Sequence, residues 1–218
     1  MSFYLKESPI DLSKVTAIVN EIINSKSYTV REPYHLEARE WFKKDPSGQT
    51  IPESIMTKDQ ALEFAERLRR SEELYGKRCK FNHYDISKEA TQEIINLLPN
   101  SIKNQNIVLT LQHAGDGDYL LLHTDHLRKS SFFVVLSEPD METRFYKKIV
   151  DFTEYDFLKY ANPDHLEEVY RLVMEKDVWY LFNQLEFHSA HEIKDTVDRF
   201  TFCIEFPDLT AEQVLALL

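Results

Sequence analysis

The sequence predicts an α+β domain in which helices come first and later strands close into a barrel or jelly roll. Two observations predict it. Apolar residues recur at helical spacing through the N-terminal half, and from residue 106 onward they gather into about seven strand-length runs divided by polar turns. The chain has 218 residues, 43% of them hydrophobic, which is enough for one substantial core and short of two. One domain over 1–218 is expected: mainly helical support in 1–105, a strand core in 106–206 and a C-terminal helix in 207–218.

Leu12, Val15, Val19, Ile22 and Ile23 share one face of the first predicted helix. Thr57 and Gln60 form a capping box that opens a second helix, with Leu62, Ala65 and Leu68 on its apolar side. Ser87 suits the N-cap of a third, which carries Ile94, Ile95, Leu97 and Leu98 and stops at Pro99. Residues 25–52 read as irregular, with a strand possible at 28–30. Strand runs then follow at 106–114, 119–126, 131–137 and 143–150, the first two joined by the turn Gly115-Asp116-Gly117-Asp118. A helical insert is expected over about 154–176, because Leu166, Val169, Leu172 and Val173 fit a helical stripe. Strands resume at 178–183, 186–190 and 199–206, and Thr210 with Gln213 caps a last helix.

Composition excludes several functions. With 37 acidic and 26 basic residues the net charge is −11, which disfavours the phosphate backbone of nucleic acids. Two distant cysteines, Cys79 and Cys203, make neither a disulfide framework nor a thiolate zinc site. No signal peptide and no apolar run of membrane-spanning length is legible, so a cytoplasmic protein with no membrane partner is expected. The sequence says nothing of oligomeric state.

The chemistry lies in the second half. Residues i and i+2 of a strand share a face, so His123 and Asp125 project together and can offer a nitrogen and an oxygen to one metal. Ferrous iron in oxygenases is commonly held by two histidines and one carboxylate, with the other positions open. A second His-x-Asp, His83 and Asp85, shows how weak the pair is alone. That copy precedes the cap Ser87, where Asp85 suits capping or the helix dipole. Downstream, His188 can complete a triad. Its rival is His191, which faces the other side of a regular strand and sits where the turn begins. Arg199 follows His188 by eleven residues across the turn. Its guanidinium can grip the far carboxylate of a dicarboxylate whose other end chelates iron. Thr201 shares that face, whereas Phe200, Phe202, Ile204 and Phe206 read as core.

His123-x-Asp125, the distal His188 and Arg199-x-Thr201 together resemble the 2-oxoglutarate/Fe(II)-dependent dioxygenase superfamily over about residues 106–206. SSFFVVLSEP, MET and RFY resemble the stretch after that family's first two ligands, although Glu142 and Thr143 stand where the family usually has paired glycines. The resemblance implies a cupin-like double-stranded β-helix with supporting helices. It implies Fe(II) as metal, with His123, Asp125 and His188 as its catalytic ligands. It also implies 2-oxoglutarate as co-substrate, held by Arg199 and Thr201, and O2 consumed with release of succinate and CO2.

The expected reaction is hydroxylation of a small polar substrate such as an amino acid, with a peptide as rival. Arg128, Lys129 and Arg144 are candidate cations for a substrate carboxylate, although a solvated charged loop suits each of them better, and the segments 25–52 and 154–176 are candidate lids. Other readings stay open. A 2-oxoglutarate-independent cupin dioxygenase would leave Arg199 idle, and a non-catalytic jelly-roll binding protein would make the triad coincidental. Arg199 also suits a surface ion pair, and Thr201 an ordinary strand position.

Overall fold

The computed structural model describes residues 5–31, 44–52, 57–75, 82–115, 120–125, 128–138, 141–151, 163–192 and 198–218. Three of its described helices begin where a side chain satisfies the first backbone N–H groups. Thr57 and Gln60 bond reciprocally at α2 (Lys58–Tyr75), and Ser87 accepts from Ala90 N at α3 (Lys88–Leu97). Thr210 and Gln213 form the same box at α5 (Ala211–Ala216). The first helix, α1 (Ser13–Ser25), buries Val15, Val19 and Ile22 and ends on Lys26 at φ 53°. A single turn, α4, covers Asn100–Lys103.

Eleven strands are described: β1 (Leu5–Glu7), β2 (Tyr28–Val30), β3 (Asn82–Ile86), β4 (Val108–Ala114), β5 (Leu120–His123), β6 (Ser130–Val135), β7 (Met141–Lys148), β8 (Leu166–Val173), β9 (Trp179–Asn183), β10 (Phe187–Glu192) and β11 (Arg199–Phe206). They form a seven-stranded sheet, β1-β9-β6-β11-β4-β3-β2, and a four-stranded one, β5-β10-β7-β8. Every pairing between named strands is antiparallel. From β4 onward the chain passes back and forth between the sheets, which is the strand order of a jelly roll. The sheets meet through Phe145 of the small one and Phe182 of the large one, ring centres 5.5 Å apart.

The main core lies outside the barrel. Leu109, Leu111, Phe132, Val134, Trp179, Leu181, Phe202, Ile204 and Phe206 cover the outer face of the large sheet and pack with Val15, Val19, Ile94, Ile102 and Val214 of the helices. Trp179 Nε1 donates to Thr16 Oγ1 at 2.8 Å, tying β9 to α1. No helix among the described residues is long and apolar enough to cross a membrane.

Two expectations are corrected. The helical insert at 154–176 is not a helix where it is described. Residues 152–162 lie outside the described residues, Pro163–His165 is a 3-10 turn, and Leu166–Val173 is β8, paired along β7. Phe145 opposes Tyr170 while Tyr146 opposes Glu168, so Val169 is an extra residue at a bulge. That insertion breaks the two-residue alternation a strand would otherwise display. The unpaired backbone groups along β7 supply the competing force, since each needs a partner. The N-terminal half, read as mainly helical with a strand possible at 28–30, has that strand as β2 and also contributes β1 and β3; the three extend both edges of the large sheet. His83 and Asp85 thus lie on a strand and not in a loop before the cap. Asp85 Oδ1 accepts from Arg31 Nε at 2.6 Å, and Arg31 also reaches Thr110 Oγ1 and Leu109 O. The turn at 116–118, and the lid candidates at 32–43 and 152–162, lie outside the described residues.

Candidate metal centre

β5 and β10 place two histidines side by side. His123 and His188 are register partners, so both project from the same face, and their ring centres are 4.4 Å apart. Asp125 follows just beyond the end of β5, where its backbone N–H donates to Gln184 O at 3.0 Å. One ligand atom from each of His123, Asp125 and His188 lies within 4.8 Å of the others. Phe182 contacts the His188 ring edge-on at 4.8 Å, and Phe145 lies 6.5 Å away.

Hydrogen bonding fixes what each group offers. His188 Nδ1 lies 2.8 Å from Glu186 O, a carbonyl that can only accept. The ring proton therefore sits on Nδ1, leaving the Nε2 lone pair directed toward Asp125 Oδ2 at 3.8 Å. His188 is 3% exposed; its burial, with His123 beside it, pushes the imidazole down to about 3. It is thus a neutral nitrogen donor at neutral pH. Burial opposes the charge on Asp125, but Arg128, His123 and His188 outweigh it and hold the carboxyl at about 2. Asp125 Oδ2 is buried and takes part in no hydrogen bond. The neutral His188 imidazole and the ionised Asp125 carboxylate, with His123 beside them, are a donor set that suits a divalent transition metal.

His191 points the other way. It bonds Ser189 Oγ at 2.7 Å, and Ser189 in turn bonds Tyr146 OH at 3.0 Å on the outer face of the small sheet. Burial lowers its imidazole to about 4. Arg199 is buried at 3% exposure, its guanidinium 5.9 Å from the centre of the Phe133 ring. Phe133 touches Phe182, and Phe182 touches His188, so one chain of aromatic rings runs from Arg199 to the triad. Thr201 shares the inter-sheet face with Arg199, and its hydroxyl donates to Gln112 Oε1 at 3.2 Å.

Two of the three candidate substrate cations are engaged away from the triad, and the third, Arg128, is held at it. Arg144 pairs with Glu142 on the outer face of the small sheet, and Lys129 Nζ donates to Asp208 O at the surface. Arg128 turns toward Asp125, with Nε 3.2 Å from Oδ2 and Nη2 3.5 Å from Oδ1, while Nη1 bonds Glu205. Sequence reasoning missed the Arg128–Glu205 pair and Gln184. One signal was present: Glu205 interrupts the apolar run FTFCIEF on the same face as Arg199 and Thr201.

No protein-family model matches the chain, and no curated protein does. Among solved structures, the chain is similar to the vicilin of hazelnut (Corylus avellana) at 8% identity and TM-score 0.35, over 58% of this chain and 29% of that one. It is similar to the vicilin of Solanum melongena at 8% identity and TM-score 0.36, over 59% and 28%. The chain thus spans under a third of the vicilin chains it matches, and the jelly roll described above rests on its own strand order.

Proposed function

We propose that the chain is a non-haem Fe(II) oxygenase that uses 2-oxoglutarate and O2, with iron held by His123, Asp125 and His188. The observation that carries it is the convergence of those three donors inside a jelly roll, between the small sheet that holds the histidines and the large sheet whose β11 carries buried Arg199. Bound there, iron with 2-oxoglutarate would supply O2-activating chemistry that oxidises a substrate C–H bond and releases succinate and CO2.

The residues of the chain have separate parts in this reading. His188 presents Nε2 because Glu186 O holds the other ring proton, and Asp125 supplies a charged oxygen. Arg199 would bind the far carboxylate of the co-substrate through a charge-assisted fork. Thr201 Oγ1, now on Gln112, lies on the same strand face to add a second bond. Phe133, Phe145 and Phe182 line the space between and keep water from it.

An anaerobic titration of the protein with Fe(II) and 2-oxoglutarate tests the reading. A weak visible charge-transfer band that appears only with both is the expected result. Iron binding without the band would make this a 2-oxoglutarate-independent metal protein, and no iron binding would leave a non-catalytic jelly-roll binding protein. With Arg128 committed to Asp125 and Glu205, and Lys129 and Arg144 engaged away from the triad, these cations give an amino-acid carboxylate no preference over a peptide. Substrate-stimulated succinate formation across amino acids, peptides and oligonucleotides would then assign the substrate class.

A further inference from the structure

We infer that Arg128, anchored by Glu205, is a positioning residue that holds Asp125 as a one-oxygen metal donor. This rests on the metal reading above and adds to it residues outside the ligand set. Arg128 and Glu205 come from different parts of the chain, one beyond the end of β5 and one near the end of β11. Their side chains are only 13% and 11% exposed. A buried guanidinium is costly unless its donors are met, and here one fork spends Nε and Nη2 on Asp125 and Nη1 on Glu205. Gln184 O holds the Asp125 backbone from the other side, so main chain and carboxylate are fixed independently.

The fork has a chemical consequence. A carboxylate free to rotate can chelate a metal through both oxygens and take two coordination positions. With Nε 3.2 Å from Oδ2 and Nη2 3.5 Å from Oδ1, the guanidinium lies along the edge of the carboxylate and fixes its plane, with Oδ2 the oxygen 3.8 Å from His188 Nε2. A coordination position stays open for a co-substrate. Glu205 cancels the charge of Arg128, so the fork orients Asp125 without repelling a divalent cation through a net positive charge.

The test measures Co(II) affinity and the Co(II) visible absorption spectrum on the full chain. The decisive variant is the double substitution Arg128→Met with Glu205→Met. Replacing a buried ion pair by apolar side chains of similar volume usually preserves stability, and net charge is unchanged. Only the positioning is lost. Co(II) should bind about 10- to 100-fold more weakly, as when other supporting partners of metal ligands are removed. The saturated spectrum should shift, because Asp125 is then free to use both oxygens. Arg128→Lys, which keeps charge but cannot fork, should recover only part of the affinity and serves if the double variant does not fold. Affinity within about twofold of wild type and an unshifted spectrum, in the double variant or in Arg128→Lys if that stands in for it, overturn the role. Wild-type protein that takes up no Co(II) overturns the metal reading itself, and this role with it.

Discussion

The two faces of β11 are held by different forces. Toward the helices it presents Phe202, Ile204 and Phe206, all fully buried in the main core, with Phe200 packed beside them. Toward the small sheet it presents Arg199, Thr201, Cys203 and Glu205, also buried, but carrying two charges and two further polar groups. Neighbouring residues on one strand are therefore held by different forces. The outer face gains from apolar area removed from water, about 25 cal/mol per Å2. The inner face has to match each polar group with a partner: Thr201 with Gln112, Glu205 with Arg128, Arg128 with Asp125. The comparison teaches that stability and chemistry are segregated by alternation, so the inner face can be specialised without dismantling the core.

The sharpest way to break that separation is to remove a proposed ligand. Asp125→Ala or His188→Ala should abolish metal binding, measured by equilibrium dialysis with Fe(II) or Co(II), while the far-ultraviolet circular dichroism stays close to wild type. Collapse of the fold in both variants would mean that the inner face carries stability after all. On the outer face, Phe202→Ala should do the reverse. Phe202 is fully buried and meets Trp179 edge-on at 6.3 Å. Its truncation should cost about 3–5 kcal/mol in chemical denaturation, with metal affinity unchanged in the protein that remains folded.

Acid should weaken the fold of the metal-free chain. His188 and His191 have folded values depressed to about 3 and about 4, so the unfolded chain takes up protons near its ordinary 6.5 that the native one refuses. Stability is therefore fully present above about 6.5 and falls as pH drops toward 4, by about 1.4 kcal/mol per pH unit for each histidine. Asp125, held at about 2 against its ordinary 3.8, extends the loss to lower pH. Thermal melts between pH 7.5 and 4 check the slope, and a flat profile would show that the two rings are not held neutral.

A smaller effect is expected at the far end of the proposed co-substrate. Arg199→Ala should weaken 2-oxoglutarate by about 1.5–3 kcal/mol, the usual worth of a hydrogen bond to a charged group, and leave iron affinity alone. Equal 2-oxoglutarate affinity in wild type and variant would remove the arginine from the site. Thr201→Val should cost least, about 0.5–1.5 kcal/mol in either stability or 2-oxoglutarate binding, since one neutral hydrogen bond to Gln112 is lost.

The residue sequence by itself determined the helix starts and the alternation of β11. Thr57, Ser87 and Thr210 cap because a side-chain oxygen three residues from a backbone N–H is a local matter. Phe202, Ile204 and Phe206 part from Arg199 and Thr201 because strand geometry alternates regardless of what the strand pairs with. The His123-x-Asp125 pair was legible as a pattern, but Asp125 lies beyond the end of β5 and is placed by its backbone bond to Gln184 O, not by strand alternation. What only the tertiary structure decided depends on partners distant in sequence. Leu166–Val173 carries a helix-like apolar spacing, yet it is a strand because β7 offers it a ladder and Val169 absorbs the mismatch as a bulge. His83 and Asp85 lie on a strand because β2 and β4 flank them. Arg128, three residues from Asp125 and seventy-seven from Glu205, reads in sequence as a solvated charge. Closure of the barrel buries it, and a buried guanidinium must bind whatever carboxylates the fold brings within reach.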